Sequence, residues 1–129
     1  MVMDRLLVGL AGALGFLGVA LGAFGAHGLR AIFEAAADGA RRAEWWETAV
    51  RYHLVHALAV AFAAFLATRA SGIAPRVAGI SFTLGVLVFS GTLYAMALGA
   101  PRWLGAVTPI GGVALLIGWG AVIAIAIRG

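Results

Sequence analysis

The sequence contains no cysteine and no lysine, and it is poor in charge of either sign. Without cysteine there can be no disulfide, no thiolate nucleophile and no thiolate-ligated metal. Without lysine, the nine cationic side chains are all arginines, set against five acids. Charged residues make up 11% of the chain and hydrophobic residues 64%. Typical soluble domains hold about 25% and roughly 45–50% respectively. So few charges cannot coat so large an apolar surface in water, so lipid is the solvent for most of it. The net charge of +4 would suit nucleic acid, but the arginines are scattered singly or in one pair at the ends of apolar runs. Cations there anchor helix ends to headgroups, and no nucleic-acid partner is expected. At 129 residues the chain is one unit.

What is present in abundance is long apolar runs. A hydrocarbon core of about 30 Å takes roughly 20 helical residues. Four stretches qualify: 6–26, 48–68, 77–100 and 107–127. Backbone groups in lipid must be satisfied within the segment, so each is a helix. The first run, at 21 residues, exceeds the roughly 7–15 of a signal peptide's apolar region. It is expected to remain in the chain despite small-residue spacing at Gly22–Ala26. The expected fold is all-α, a four-transmembrane-helix bundle in a single domain over 1–129.

The connections are unequal. Arg69 to Arg76 and Gly99 to Trp103 are short turns, whereas His27 to Arg51 is long. Within it Arg30, Glu34, Asp38 and Arg41 recur at helical spacing, opposite Leu29, Ile32, Ala36, Ala40 and Ala43. This predicts an interfacial amphipathic helix between the first two spans, with Gly39 as a break point and Trp45 and Trp46 marking the return to the bilayer. Arg5, Arg69, Arg76 and Arg128 lie on one side of the membrane, and Arg30, Arg41, Arg42, Arg51 and Arg102 on the other. Cation counting is nearly balanced, and the expectation adopted is that both termini are cytoplasmic.

The first span carries Gly9, Gly12, Gly15, Gly18, Gly22 and Gly25. At 100° per residue all but Gly9 fall within an arc of about 140°. Gly12, Gly15, Gly18, Gly22 and Gly25 are therefore the expected helix-packing face, used within the bundle or for self-association. Gly111-Gly112 and Gly118-Trp119-Gly120 give the last span a similar small-residue surface.

Polar side chains inside a membrane are costly, so their placement is informative. Thr48, Tyr52 and His56 follow one ridge of the second span, with His53 about 100° from Tyr52. Ser90 and Tyr94 form an i, i+4 pair on the third. Four alternating spans bring His27, Tyr52, His56, Ser90, Thr92, Tyr94 and Thr108 into one half of the bilayer, and leave only Ser81 and Thr83 in the other. Thr108-Pro109 reads as an N-cap with proline at the first helical position. The candidate site is a polar, ligand-binding cluster of His27, Tyr52, His56, Ser90, Tyr94 and Thr108. Its uses are interhelical hydrogen bonding, binding of a small ligand or lipid headgroup, ion passage, or ligation by histidine. No nucleophile–base pair is identifiable by spacing and no carboxylate lies in a span, so no catalytic residue, metal ligand set or cofactor is expected.

Several stretches match a known family pattern: Gly22-Ala-Phe-Gly-Ala-His27-Gly-Leu29, Thr48 with Tyr52 and His56, Phe89-Ser-Gly-Thr-Leu-Tyr94, Thr108-Pro-Ile-Gly-Gly112, and Gly118-Trp119. Through them the chain resembles the YgdD-like small membrane proteins of unknown function, which have relatives in animal mitochondria. The resemblance runs from the first span to the last. It implies four spans, a bacterial inner-membrane location and both termini inside, and it implies no activity. His53 lies outside the pattern. The expected function is a non-enzymatic accessory, assembly or scaffold protein, partnered by the bilayer and by copies of itself or a larger membrane complex. The alternatives are a small-molecule or ion carrier and a histidine-ligated cofactor-binding subunit.

Overall fold

A computed structural model describes residues 2–128. Helix α1 covers Val2–His27, α2 Arg30–Ala35, α3 Gly39–Arg69, α4 Ala74–Ala97 and α5 Thr108–Arg128. A 3-10 turn at Arg102–Ala106 leads into α5. There is no strand among the described residues. Helices α1, α3, α4 and α5 (with its leading turn) are long and apolar enough to cross a membrane.

The α3–α4 pair is the centre, with α1 packed chiefly on α3 and α5 chiefly on α4. Val60 and Ala63 of α3 and Ala78 and Phe82 of α4 are fully buried, and Leu7 and Leu115 reach in from the outer helices. Small residues allow these approaches. A side chain at Gly111 would run into the backbone of Phe89, so α5 lies directly against α4 there. On α1, Gly18, Gly22 and Gly25 face Leu54, Val50 and Trp46 of α3, while nothing lies near Gly12 or Gly15. The glycine face is thus divided: its later half is used inside the bundle and its earlier half is open.

The long connection does not form the interfacial amphipathic helix expected; it breaks immediately before Gly39, the expected break point. Its first part is the six-residue α2, after which Ala36 is extended (ψ 143°) and breaks the helix. The chain resumes helix at Gly39, where a side chain would strike the Phe33 carbonyl. Arg30 and Glu34 pair on the outside of α2 at 3.1 Å, and Asp38 sits at the start of α3. Leu29 and Phe33 are buried, whereas Ile32, expected on the inner face, is exposed. From Gly39 the helix runs unbroken for 31 residues, so the second span is the inner part of a longer rod.

The third span, α4, ends at Ala97 instead of Ala100. The Gly99 amide donates to the Met96 carbonyl (3.1 Å) and the Ala100 amide to that of Ala95 (2.9 Å), with Gly99 at φ 104°. This is a Schellman stop, which glycine enters without a Cβ clash.

Candidate functional site

The intramembrane polar side chains are distributed among separate ties between helices. The first joins α1, α3 and α4. The Trp46 indole N–H donates to the Leu21 carbonyl of α1 at 2.9 Å, an approach that Gly25 leaves open. Tyr94 packs on the Trp46 ring, centroids 4.7 Å apart, and its hydroxyl is 2.9 Å from His53 Nδ1. His53 is 4% exposed, and its Nε2 has no hydrogen-bond partner among the described residues.

The second joins α3 to α5. His56 Nδ1 lies 2.7 Å from the Tyr52 carbonyl, which can only accept, so Nδ1 carries the proton. The Trp119 indole N–H donates to His56 Nε2 at 3.1 Å, which therefore accepts. One neutral tautomer satisfies both contacts. A second ring proton would set two donors against each other at Nε2 and break the bond to α5. Phe82 of α4 and the Tyr52 ring close over the imidazole.

Two hydroxyl ties complete the set. Ser90, fully buried, donates to the Ala49 carbonyl at 2.8 Å and fastens α4 to α3. Thr92 and Thr108 share a hydrogen bond of 2.6 Å between α4 and α5. With the Thr108 proton given to the Leu104 carbonyl at 3.2 Å, Thr92 is the donor between the two hydroxyls. The Thr108 hydroxyl is therefore directed to the preceding turn and to α4, and the N-cap expected at Thr108 gives way to these contacts.

Of the six candidate residues, His56, Ser90, Tyr94 and Thr108 thus take part in ties between helices. Tyr52 contributes its carbonyl and ring while remaining 41% exposed. His27 stands exposed at the end of α1, joined to none of the others by a hydrogen bond among the described residues. Sequence reasoning passed over His53, Trp46 and Trp119. A signal existed for His53: Trp46, Ala49, His53 and Val60 recur at helical spacing along one buried ridge of α3.

Outside the bilayer centre, Asp38 bonds Arg42 at 2.8 Å and Arg102 at 3.1 Å, tying the start of α3 to the turn before α5. Loss of water around the carboxyl raises its pKa. The hydrogen bonds from Arg102, the backbone and Arg42 outweigh that and hold it below the usual carboxylate value. Two adjoining crevices of about 320 and 470 Å³ open between α1, α2 and α3, with Gly25, Phe33, Ala43 and Glu47 common to both. A third, about 630 Å³, is an apolar groove along Gly12, Gly15, Leu54 and Leu58. A fourth, about 340 Å³, lies at the α3–α4 turn. A fifth, about 170 Å³, adjoins the fourth and holds Asp4 and Arg76. His53, His56, Ser90, Tyr94 and Thr108 line none of these five.

Comparison with known proteins gives a consistent answer. A family described as "Protein of unknown function (DUF423)" matches residues 21–112. The chain is 41% identical over 113 residues to the UPF0382 membrane protein YwdK of Bacillus subtilis, covering 87% of this chain and 88% of that protein. It is 45% identical over 105 residues to a UPF0382 membrane protein of Haemophilus influenzae, covering 81% and 80%. To the UPF0382 inner membrane protein YgdD of Escherichia coli K12 it is 40% identical over 114 residues, covering 88% and 83%. No solved structure matches.

Proposed function

For this chain, which belongs to the DUF423 (UPF0382) family of membrane proteins, we propose a non-enzymatic accessory or assembly role in the bacterial inner membrane. The observation that carries the reading is the use made of the polar groups. His56 has both ring nitrogens engaged, and Ser90, Thr92, Tyr94 and Thr108 bond across helix interfaces. A carrier or a histidine-ligated cofactor site needs such groups free to meet a ligand; here they hold three helices, α3, α4 and α5, in register. Meanwhile the open stretch of α1 around Gly12 and Gly15 offers a small-residue face on which another membrane helix can pack closely.

The name of the Escherichia coli relative supports the inner-membrane location. We place both termini in the cytoplasm. The arginine count, four on the terminal side against five on the other, is nearly balanced, and the assignment rests on what the family resemblance implies. Reporter fusions at the C-terminus test the orientation: a cytoplasm-active fluorescent protein should light up and periplasm-active alkaline phosphatase should stay silent.

The functional test is extraction from native membranes into polymer-bounded lipid discs. A partner protein should co-purify in fixed stoichiometry. Recovery of the chain alone, together with solute flux in proteoliposomes that disappears on His56→Ala, would replace the accessory reading with a carrier.

A further inference from the structure

The crevice of about 340 Å³ at the end of the molecule opposite the long connection is lined by two arginines and no carboxylate, which is true of none of the other four, including an adjoining crevice of about 170 Å³ that holds Asp4 and Arg76. Arg69 closes α3, Arg128 closes α5, and the turn between α3 and α4 supplies Ser71. Leu66, Ile73 and Ile125 line it with hydrocarbon. No carboxylate lines it, and neither arginine is in an ion pair among the described residues. The Arg69 guanidinium lies 5.1 Å from the centroid of the Phe65 ring, a contact that restrains a long side chain otherwise free to roam. Two cations with no ion pair among the described residues, drawn to one concavity, repel each other until an anion sits with them. The planar guanidinium fork matches the oxygens of a phosphate. The apolar walls, at the end of two spanning helices, suit a ligand whose phosphate is attached to an acyl chain.

We infer that this crevice is a binding site for the headgroup phosphate of an anionic glycerophospholipid, held by Arg69 and Arg128 with Ser71 as a further donor. A zwitterionic lipid would bring an ammonium group to a crevice lined by two cations and, among the described residues, by no carboxylate. The site is separate from general headgroup anchoring, because Arg5 on the same side does not line it. It is also independent of the accessory role, since it concerns lipid and needs no protein partner.

The test is native mass spectrometry of the full chain in detergent with equal amounts of phosphatidylglycerol and phosphatidylcholine. One phosphatidylglycerol should be retained with about tenfold preference, the scale expected of basic side chains at a lipid surface. Arg69→Gln with Arg128→Gln should abolish the preference, and Arg5→Gln should leave it intact. The milder Arg69→Lys with Arg128→Lys keeps the charge but loses the fork, and should reduce the preference only in part, which covers the case of a poorly folded glutamine variant. Equal retention of both lipids would overturn the site, as would a preference that survives the glutamine pair or falls equally with Arg5→Gln. Displacement of the lipid by excess inorganic phosphate would make it a free-anion site instead.

Discussion

The two halves of this bundle are held together by different means. On the side of the long connection, helices are joined by directed bonds: Trp46 to Leu21, His53 to Tyr94, Ser90 to Ala49, His56 to Trp119 and Thr92 to Thr108. On the side of the α3–α4 turn, the buried Thr83 hydroxyl turns back to Gly79 of its own helix. Contacts there are apolar, as where Leu7 of α1 fits against Gly79 and Phe82 against Gly118. In lipid there is no hydrophobic force to drive one greasy helix onto another; close packing and hydrogen bonds must do it. The apolar half supplies contact area, while the polar half sets which ridge meets which, because a hydrogen bond fails if a helix turns by one residue. Lopsided polarity is thus a way of fixing register, and it need not signal a transport path.

The comparison breaks first if close contact, and not bonding, governs both halves. Gly111→Ala places a methyl group against the Phe89 backbone, which cannot rotate away, and pushes α5 from α4 beside the Thr92–Thr108 bond. Overpacking of this kind costs about 1–3 kcal/mol, and thermal unfolding in detergent should show it as the largest loss in the set. Gly79→Ala meets only the side chain of Leu7 and should cost less. Gly12→Ala and Gly15→Ala meet nothing within the chain and should leave monomer stability unchanged. If either instead disperses an oligomer, the open half of the glycine face is a contact between copies.

Smaller effects should come from the directed bonds. Trp119→Phe removes the donor to His56 while keeping a ring against Phe82. Intramembrane hydrogen bonds average about 0.6 kcal/mol, with a maximum near 1.7. A double-mutant cycle of Trp119→Phe with His56→Phe should return a coupling in that range. Tyr94→Phe should likewise lose about 0.6 kcal/mol through the His53 bond. A coupling near zero in that cycle, with no loss on Tyr94→Phe, would mean that the polar half is held by packing alone.

How far these ties could be read in the sequence depended on what each required. The number of spanning helices follows from apolar run length, and the polar half follows from simple alternation of the spans. The outward extension of α3 was hidden, because Arg41, Arg42, Glu44 and Glu47 end the apolar run while the helix continues beyond it. The pairings were hidden for a geometric reason. His53 and His56 lie about 60° apart on α3, yet one meets α4 and faces α1 while the other meets α5. Which neighbour each ring meets is decided by how α1 and α5 dock, and small residues such as Gly18, Gly25 and Gly118 decide that. Tryptophans read as interface markers are a related case: composition places Trp46 near the headgroups, but only the fold directs its N–H to an α1 carbonyl.

One further tie lies outside the membrane, and acidity can switch it. Asp38 links Arg42 beside it to Arg102 across the connection, and these bonds hold its carboxyl below the usual range. A carboxyl with a depressed pKa in the folded protein contributes stability that is complete above its unfolded value, near 3.9. That contribution fades as pH falls through the folded value, where both states take up the proton. Asp38→Asn should therefore be slightly less stable than the parent at neutral pH, with the gap closing only in strong acid. High salt should narrow it too, since exposed ion pairs are screened. The readout is the difference in melting temperature between parent and variant, followed across pH and ionic strength. A gap that stays constant down to strong acid would mean that the pairing with Arg42 and Arg102 does not stabilise the connection. The directed bonds of the long-connection half would then be confined to the membrane interior.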